Sequence, residues 1–194
     1  LSLVGSEMCI RDRFPINDSI LSEVKYSPFA YDKHAKLFYT DDITSPSKDR
    51  GKFIDESIDL VKKILDISQG KALILFTSKA DMNAVYTRLK ALNLNYTLIK
   101  QNEISSQQQL IYKFKQDVNS VLLGTGVFWE GISIEGIALS NLIIYKLPFP
   151  LPEPIINEKC KRSKNPLEEV LVPEMIIKLK QGVGRLIRNK TDKG

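Results

Sequence analysis

Apolar residues in the first half of the chain follow two spacings in turn. Between residues 53 and 65 they recur every three or four positions, which predicts an amphipathic helix that ends before Gly70. The continuous apolar run at 72–76 predicts a strand that is buried on both faces, as in a parallel sheet. A second helix is predicted next, because Ser78 and Asp81 form a start signal like a capping box. Its predicted inner face comprises Met82, Val85, Tyr86 and Leu89.

The alternation continues beyond this second helix. Residues 96–99 predict a strand, Ser105 and Gln108 predict a helix start, and residues 121–123 predict another buried strand. This order of strands and helices predicts an α/β fold, a parallel sheet flanked by helices. Right-handed crossovers would then place a ligand-binding edge at the carboxyl ends of the strands.

Weaker patterns lie on both sides of this predicted core. Residues 35–39 predict a short strand before a polar linker at 41–51, and the prolines in segment 141–150 are expected to end a strand and redirect the chain. Pro173 suits the first turn of a final helix. The side chains expected to face the sheet from that helix are Met175, Ile176 and Leu179.

Composition limits the class of protein. The chain has 194 residues, of which 43% are hydrophobic, so one sizeable core and one domain are expected. The net charge of +5 is compatible with a polyanionic partner. Two cysteines without metal-ligand spacing and an isolated histidine, His34, predict no metal site. Because no apolar run approaches the roughly 20 residues of a membrane span, no membrane partner is expected and a cytoplasmic location is predicted.

The two ends of the chain give separate expectations. Residues 1–13 show neither helical nor strand periodicity and resemble translated sequencing-adaptor read-through, so they are expected to be a disordered artefact. Residues 14–194 are expected to form the domain. Because the chain lacks an initial methionine and stops directly after an arginine-rich segment, truncation at both ends is expected.

A glycine-rich segment follows the predicted strand at 121–123. It covers residues 124–136 and lies at the predicted ligand-binding edge. Gly124 and Gly126 can present backbone N–H groups to a phosphate, and Thr125 adds a hydroxyl. Phe128 and Trp129 are candidates for stacking on a nucleic-acid base, although adjacent aromatic residues beside a strand are more often anchors of the core. A surface loop without a ligand is the alternative.

Positive charge is concentrated near the end of the chain. At about 100° per residue, Gln181, Arg185 and Arg188 share one face of a predicted helix. Gly182 and Gly184 flank this face and allow a backbone or a ligand to approach closely. Two guanidinium groups one turn apart suit a phosphate, and solvated arginines on an amphipathic helix are the alternative. The opposite, apolar face comprises Val183, Leu186 and Ile187.

Two further polar segments are candidates for nucleic-acid contact. Thr77 and Ser78 lie between a strand end and a helix start, where N–H groups and hydroxyls can bind a phosphate. A helix cap alone is the alternative for this pair. A second candidate would steer nucleic acid electrostatically or form an ordinary solvated face. This basic cluster comprises Lys159, Lys161, Arg162 and Lys164.

Three segments resemble motifs of one helicase family. Q-x-x-G-R-x-x-R at 181–188 resembles motif VI, and G-T-x-x-F-W-E-G-I at 124–132 resembles motif V, of the DinG/XPD-like superfamily 2 DNA helicases. Residues 73–78, followed by Met82, resemble motif IV of the same family. Ser133 stands where motif V usually has an aspartate that links the nucleic-acid and ATP sites.

This resemblance implies a RecA-like second motor domain and assigns roles to residues. Arg185 and Arg188 are implied to reach the γ-phosphate of ATP held by another domain, and Gln181 is implied to couple that site to nucleic acid. The other residues implied on the nucleotide side are Gly184, Glu130 and Gly131. The residues implied to contact nucleic acid are Thr77, Ser78, Gly124, Thr125 and Trp129.

The sequence lacks the parts of a helicase that hold the nucleotide. No G-x-x-x-x-G-K-[ST] phosphate loop and no D-E-A-H-type segment occur, so the resemblance implies that ATP and Mg²⁺ are bound mainly by a missing first motor domain. That domain carries an iron–sulfur cluster in many family members and would close with this one around single-stranded or forked DNA. The fragment alone is expected to be inactive. The alternatives are a stand-alone nucleic-acid-binding module and an unrelated α/β transferase, for which no dinucleotide fingerprint is present.

Overall fold

Helices and strands alternate along the described chain. The computed structural model describes residues 31–102, 104–129, 134, 139–187 and 192–194. In chain order its main elements are α1 (Tyr31–His34), α2 (Arg50–Ser68), β1 (Ala72–Phe76), α3 (Lys79–Ala91), β2 (Leu98–Lys100), α4 (Gln107–Gln116), β3 (Val121–Thr125), β4 (Asn141–Ile144), α5 (Pro154–Arg162) and α6 (Val172–Val183). A 3₁₀ helix (Gly126–Phe128) follows β3, and a π-helical segment (Leu167–Leu171) leads into α6. No helix within these residues is both long and apolar enough to cross a membrane.

The four strands form one parallel sheet in the order β2-β3-β1-β4. Leu75 of β1 is in register with Gly124 of β3 on one side and with Ile144 of β4 on the other. The chain runs from β1 to the edge strand β2 and then back to β3, so right-handed crossovers place α3 and α4 on opposite faces. The predicted parallel sheet with flanking helices is therefore confirmed. All four strands end at the same edge, which we call the carboxyl edge.

Each face of the sheet carries its own core, because side chains alternate along a strand. Ile74 and Phe76 point to the face that α2 and α3 cover, whereas Leu73 and Leu75 point to the face that α4 covers. Every residue of β1 is fully buried, which accounts for its continuous apolar run. The helix residues that close the first core are Phe53, Ile54, Ile58, Val61, Leu65, Met82, Val85 and Leu89.

A capping box starts α4 one residue later than predicted. The Ser106 hydroxyl accepts from the Gln109 N–H at 3.2 Å, and the Gln109 side chain accepts from the Ser106 N–H at 2.9 Å. The shift has a local cause in Asn102. Its side-chain oxygen accepts from the Ser105 N–H at 2.6 Å and so holds Ser105 in a turn outside the helix.

The prediction of a strand at 35–39 is wrong. This segment is irregular, and its side chains Leu37, Phe38 and Tyr39 are 82 to 88% exposed. The Lys36 N–H donates to the Gly194 carbonyl at 2.8 Å, and the Gly194 N–H donates to the His34 carbonyl at 2.9 Å. Pairing at one position makes no ladder, so the segment has the composition of a strand without a neighbouring strand along its length.

The prediction of one helix over 181–188 is also wrong. The helix α6 ends at Val183, and residues 184–186 form a turn. The Arg185 N–H donates to the Gly182 carbonyl at 3.0 Å, a bond three residues back that tightens the end of the helix. Ile187, a residue of the predicted apolar face of that helix, is nevertheless buried.

The start of α6 agrees with the sequence in part. Pro173 lies in its first turn, as predicted, although the π-helical segment precedes it without a break. Met175 is buried, whereas Ile176 is 38% exposed and not turned toward the sheet. Consecutive helical residues differ in direction by about 100°, so Ile176 points well away from the buried Met175 around the axis of α6.

Candidate nucleic-acid and nucleotide site

Polar residues follow the strands where these end at the carboxyl edge. Gln101 follows β2, Thr77 and Ser78 follow β1, and Lys146 lies two residues beyond β4. The loop that continues from β3 begins at Gly126. In open α/β sheets ligands bind at this edge, so the structure brings these segments together where a ligand is expected.

Thr77 and Ser78 differ in how far they are already used. The Ser78 hydroxyl is the N-cap of α3 and accepts from the Asp81 N–H at 3.1 Å. The Thr77 side chain is exposed at the end of β1, beside the start of the same helix. The helix-cap function of Ser78 is therefore seen directly, and phosphate contact by either residue stays a prediction.

Asp81 is the buried charged group at this end of the sheet. Its side chain is 5% exposed, and each carboxylate oxygen accepts from a different cation. Arg50 at the start of α2 lies 2.8 Å away, and Lys146 lies 2.7 Å away. The predicted capping box is half formed, because the Ser78 hydroxyl accepts from the Asp81 N–H while the Asp81 carboxylate does not accept from the Ser78 N–H. We call Arg50, Ser78, Asp81 and Lys146 the polar corner.

The two cations govern the ionisation of Asp81. Burial alone would raise the pKa of its carboxyl group, but hydrogen bonds from Lys146 and Arg50 outweigh burial and hold the pKa below its ordinary value. The Arg50 side chain is 51% exposed and that of Lys146 is 25% exposed. Two partly exposed cations facing one buried carboxylate leave the polar corner with net positive charge.

Buried aromatic and hydroxyl groups pack beside Lys146. The Tyr145 hydroxyl is 2.6 Å from the Ser57 hydroxyl, and the Tyr145 ring packs edge-on against Phe53 at 5.2 Å between centroids. Burial raises the pKa of Tyr145, with the Ser57 hydrogen bond opposing it. The Lys146 ammonium lies 5.4 Å from the centre of the Phe53 ring, within cation–π range.

Gly124 and Thr125 do not lie in the loop predicted for them. They are the last two residues of β3, and both are buried. A Cβ on Gly124 would lie 2.5 Å from the ring of Phe128, so this glycine lets an aromatic side chain pack on the strand. The prediction that Gly124 presents its N–H to a phosphate is therefore corrected.

The donors of Thr125 are taken by a side chain that sequence reasoning missed. The Oε1 of Gln101 accepts from the Thr125 N–H at 2.7 Å and from its hydroxyl at 3.1 Å. A threonine hydroxyl has one hydrogen, so it cannot also donate to a phosphate. Gln101 follows directly after a strand at the carboxyl edge, and that position is the signal that could have identified it.

Gly126 opens the loop that the sequence assigned to phosphate binding. It has a φ of 48°, in the left-handed region, and a Cβ there would meet open space. A glycine adopts this conformation without strain, which explains the residue at this turn. The Gln107 side chain donates to the Val127 carbonyl at 3.1 Å and ties the loop to the start of α4.

Trp129 is packed inside the domain. Its side chain is about 1% exposed, and its indole N–H donates to the Phe76 carbonyl at 2.9 Å. A ring so enclosed has no face open to a base, so the predicted stacking is corrected to an anchoring function. Phe128 is fully buried as well.

Gly182 of α6 fits against the Trp129 ring. A Cβ on Gly182 would lie 3.0 Å from Trp129, closer than side-chain carbons normally pack, and 3.4 Å from Leu75. The Lys178 ammonium, one turn earlier in α6, lies 5.9 Å from the centre of the same ring. We call Phe76, Phe128, Trp129 and Gly182 the aromatic junction, because it joins the ends of β1 and β3 to α6.

The remaining predicted residues lie on or beyond the end of α6. Gln181 is half-buried within the last turn of the helix, and Gly184 is its C-cap, with a φ of −62° that any residue can adopt. Arg185 is half-buried in the turn that follows. Three predicted site residues, Arg188, Glu130 and Gly131, lie outside the described residues, as does Ser133.

The basic cluster is partly neutralised. Lys159 forms an ion pair with Glu174 at 2.7 Å, and Arg162 forms one with Glu158 at 3.0 Å. Lys161 is exposed on the surface of α5. These pairs favour the solvated-face interpretation over a dedicated nucleic-acid patch. Across the part of the chain that is described, no group of three acidic, histidine or cysteine side chains could hold a metal ion.

Solved structures share the architecture of this chain. Xpd4 of S. tokodaii superposes with a TM-score of 0.63 over 82% of this chain and 32% of that chain, at 19% sequence identity. A second solved structure, described as an XPD helicase, has a TM-score of 0.59 over 85% of this chain and 29% of that chain, at 23% identity. At these identities the likeness concerns the fold, and it confirms the predicted RecA-like sheet.

The family follows from the sequence comparisons. The family model of the helicase C-terminal domain matches residues 61–194, and the chain belongs to this family. It is 33% identical over 184 residues to the ATP-dependent DNA helicase YoaA of Haemophilus influenzae, covering 91% of this chain and 28% of that protein. It is 32% identical over 206 residues to the 3'-5' exonuclease DinG of Bacillus subtilis, covering 100% of this chain and 22% of that protein. The predicted resemblance to the DinG/XPD-like helicases is confirmed, and the chain spans less than a third of these relatives.

Proposed function

We propose that this chain is the second motor domain of an ATP-dependent DNA helicase, in which it links a nucleic-acid surface to a nucleotide site. The aromatic junction is the observation that supports this most directly. Trp129 reaches from the end of β3 to the Phe76 carbonyl at the end of β1, and Gly182 of α6 packs on its ring. A displacement of either strand end would therefore displace the helix that leads to Arg185.

The nucleotide half of the proposal concerns the segment after α6. Arg185 and Arg188 would bind the γ-phosphate of ATP, and Gln181 would couple this contact to nucleic acid. An arginine supplied to a nucleotide site typically accelerates phosphoryl transfer by about 10³ to 10⁵. The further nucleotide contacts would come from Gly184, Glu130 and Gly131.

A separate motor domain would hold most of the nucleotide. The sequence contains no phosphate loop, and the described residues offer no acidic group of three that could hold Mg²⁺. These observations fit a chain that contributes arginines to an ATP–Mg²⁺ complex bound elsewhere. The proposed partner is therefore a first motor domain, and any iron–sulfur cluster would lie in that domain. The proposed location of the protein is the cytoplasm.

The nucleic-acid half of the proposal concerns the carboxyl edge. Thr77 is exposed beside the N-terminus of α3, and the polar corner next to it carries net positive charge. Helix N-termini and cations both favour phosphate, so the backbone of single-stranded or forked DNA suits this edge. The cycle of ATP binding and hydrolysis would move that strand past the two domains.

The arginine assignment can be tested in a protein that joins this chain to an ATP-binding first motor domain. Arg188→Ala should lower the turnover number for DNA-stimulated ATP hydrolysis by about 10³ or more, since the charge is needed in the transition state. DNA affinity, measured by fluorescence anisotropy, should stay within a few-fold. Arg162→Ala is the matched control, because it removes an arginine whose side chain is 79% exposed.

Two outcomes would count against this proposal. Unchanged turnover in Arg188→Ala would refute the arginine assignment. DNA binding by the chain, with no hydrolysis in any joined protein, would favour the stand-alone nucleic-acid-binding module. We expect the chain by itself to bind single-stranded DNA and to show no ATPase activity.

A further inference from the structure

Gln101 is held in a single orientation at the carboxyl edge. Its backbone N–H donates to the Leu123 carbonyl at 2.9 Å, which extends the pairing of β2 with β3 by one residue. Its side-chain oxygen accepts from both donors of Thr125, at 2.7 Å from the backbone nitrogen and 3.1 Å from the hydroxyl. Backbone and side chain are thus both fixed by the neighbouring strand.

The chemistry of the contact decides which way the carboxamide faces. A backbone N–H can only donate, so the atom of Gln101 that faces Thr125 must be the carbonyl oxygen. Both lone-pair directions of that oxygen are used, and the Nε2 group points away from Thr125. Within the described residues this Nε2 has no hydrogen-bond acceptor. Because Gln101 is only half-buried, a ligand can reach it.

We propose that Gln101 is a nucleic-acid contact whose Nε2 donates to a phosphate oxygen of a single-stranded backbone. The inference rests on the proposed function, because it needs a nucleic-acid strand at the carboxyl edge. The contact expected at the Thr125 hydroxyl, whose hydrogen is already donated to Gln101, is thereby assigned to the Gln101 side chain. Thr125 is then a positioning residue that sets the orientation of the donor.

The loop beside Gln101 is shaped for the same ligand. Gly126 follows Thr125 directly, is exposed, and has no Cβ to shield the edge. Gln107 holds this loop from α4 through the Val127 carbonyl at 3.1 Å. A strand that passes over the end of β3 would therefore meet a preset amide donor on one side and an open backbone on the other.

Gln101→Glu is the variant that removes the donor and keeps the acceptor for Thr125. A glutamate keeps an oxygen for Thr125 at nearly the same volume, but it replaces the N–H donors by negative charge that repels phosphate. A hydrogen bond to a charged group typically contributes about tenfold or more to affinity, so the affinity for oligothymidine should fall by at least that factor. Gln108→Glu is the matched control, since it adds the same charge on an exposed residue of α4.

The measurement is fluorescence anisotropy with labelled oligothymidine and with an abasic oligonucleotide of the same length. We expect Gln101→Glu to weaken both, Gln108→Glu to change neither by more than about twofold, and the thermal midpoints to stay equal. Gln101→Met, which removes the donor without adding charge, replaces the glutamate variant if that one unfolds. A loss of affinity confined to oligothymidine would assign the acceptor to a base and overturn the phosphate contact.

The remaining outcomes distinguish a failure of the Gln101 contact from a failure of the proposed function. Equal binding by the wild-type chain and Gln101→Glu, or equal losses in Gln101→Glu and Gln108→Glu, would overturn the Gln101 contact alone. A wild-type chain that binds neither oligonucleotide would refute the nucleic-acid half of the proposed function, and the Gln101 contact with it.

Discussion

The polar corner and the aromatic junction lie at the same edge of one sheet but are held by different forces. In the polar corner, two partly exposed cations share a buried carboxylate. In the aromatic junction, the Trp129 ring fills the space between the sheet and α6, and its one polar atom is satisfied by the Phe76 carbonyl. The first depends on charge and hydration, and the second on close packing.

This difference indicates which region can recognise a ligand and which can transmit its effect. Arg50 and Lys146 can turn toward a phosphate while the Asp81 carboxylate keeps one of them, because solvent already reaches both side chains. The Trp129 ring cannot move without opening a cavity beside Leu75 and Gly182. Packed cores respond as units, so the junction suits the proposed link between the strand ends and α6.

The largest effect on stability is expected when a substitution breaks the aromatic junction. Trp129→Ala should lower the free energy of unfolding by about 3–5 kcal/mol, because it leaves a cavity and an unpaired Phe76 carbonyl. Chemical denaturation followed by circular dichroism measures the change. Val127→Ala is the control: Val127 is two residues earlier and 54% exposed, so its change should stay within about 0.5 kcal/mol. Similar losses in both variants would contradict the buried position of Trp129.

A smaller effect is expected when the polar corner is broken. Asp81→Asn should cost about 1–3 kcal/mol at neutral pH, because it removes the charge that pairs Arg50 and Lys146 at nearly constant volume. The pairing lowers the pKa of Asp81 in the folded state, so its contribution is complete above the unfolded pKa. That contribution disappears as the pH falls through the folded value. The difference between wild type and variant should therefore shrink on acidification below about pH 4.

An exposed ion pair gives the reference for this pH series. Asp55 pairs with Arg88 at 2.6 Å, but the Asp55 side chain is 67% exposed. Asp55→Asn should change stability by no more than about 0.5 kcal/mol at any pH. If Asp81→Asn behaves like this control across the whole pH range, the polar corner does not stabilise the fold.

The smallest effect on stability is expected at Ser78, the member of the polar corner that caps α3. Ser78→Ala should cost about 1 kcal/mol, because the Asp81 N–H loses its cap. Ser78→Asn should restore most of this stability, since asparagine is an equally good N-cap. An asparagine variant as unstable as the alanine variant would show that Ser78 acts by something other than capping.

The elements were largely predictable because they depend on local patterns. The run at 72–76 is β1 to the residue, and the stripe from Phe53 to Leu65 is the buried face of α2. The strand predicted at 35–39 failed for a reason that is not local. Its composition favours a strand, but in the described chain its one backbone hydrogen bond to a residue distant in sequence is from the Lys36 N–H to Gly194.

The candidate site was predictable in position and less so in detail. The alternation of strands and helices placed Thr77 and Ser78 directly after a strand, and the fold confirms that they lie at the carboxyl edge, whereas ligand binding there stays a prediction. A tryptophan after a strand has the same sequence signature whether its ring faces a ligand or the core, so Trp129 could not be assigned from its neighbours. Asp81 is bonded to Arg50 and Lys146, which are 31 and 65 residues away along the chain.

The sequence by itself determined the alternation of strands and helices, the two-sided burial of the sheet and the motifs that identify the family. Each of these depends on residue spacing within one segment. Only the tertiary structure decided that Gln101 occupies the donors of Thr125 and that Gly182 packs on Trp129. The physical reason is that such contacts depend on strand order and register, which bring together segments that carry no local record of each other.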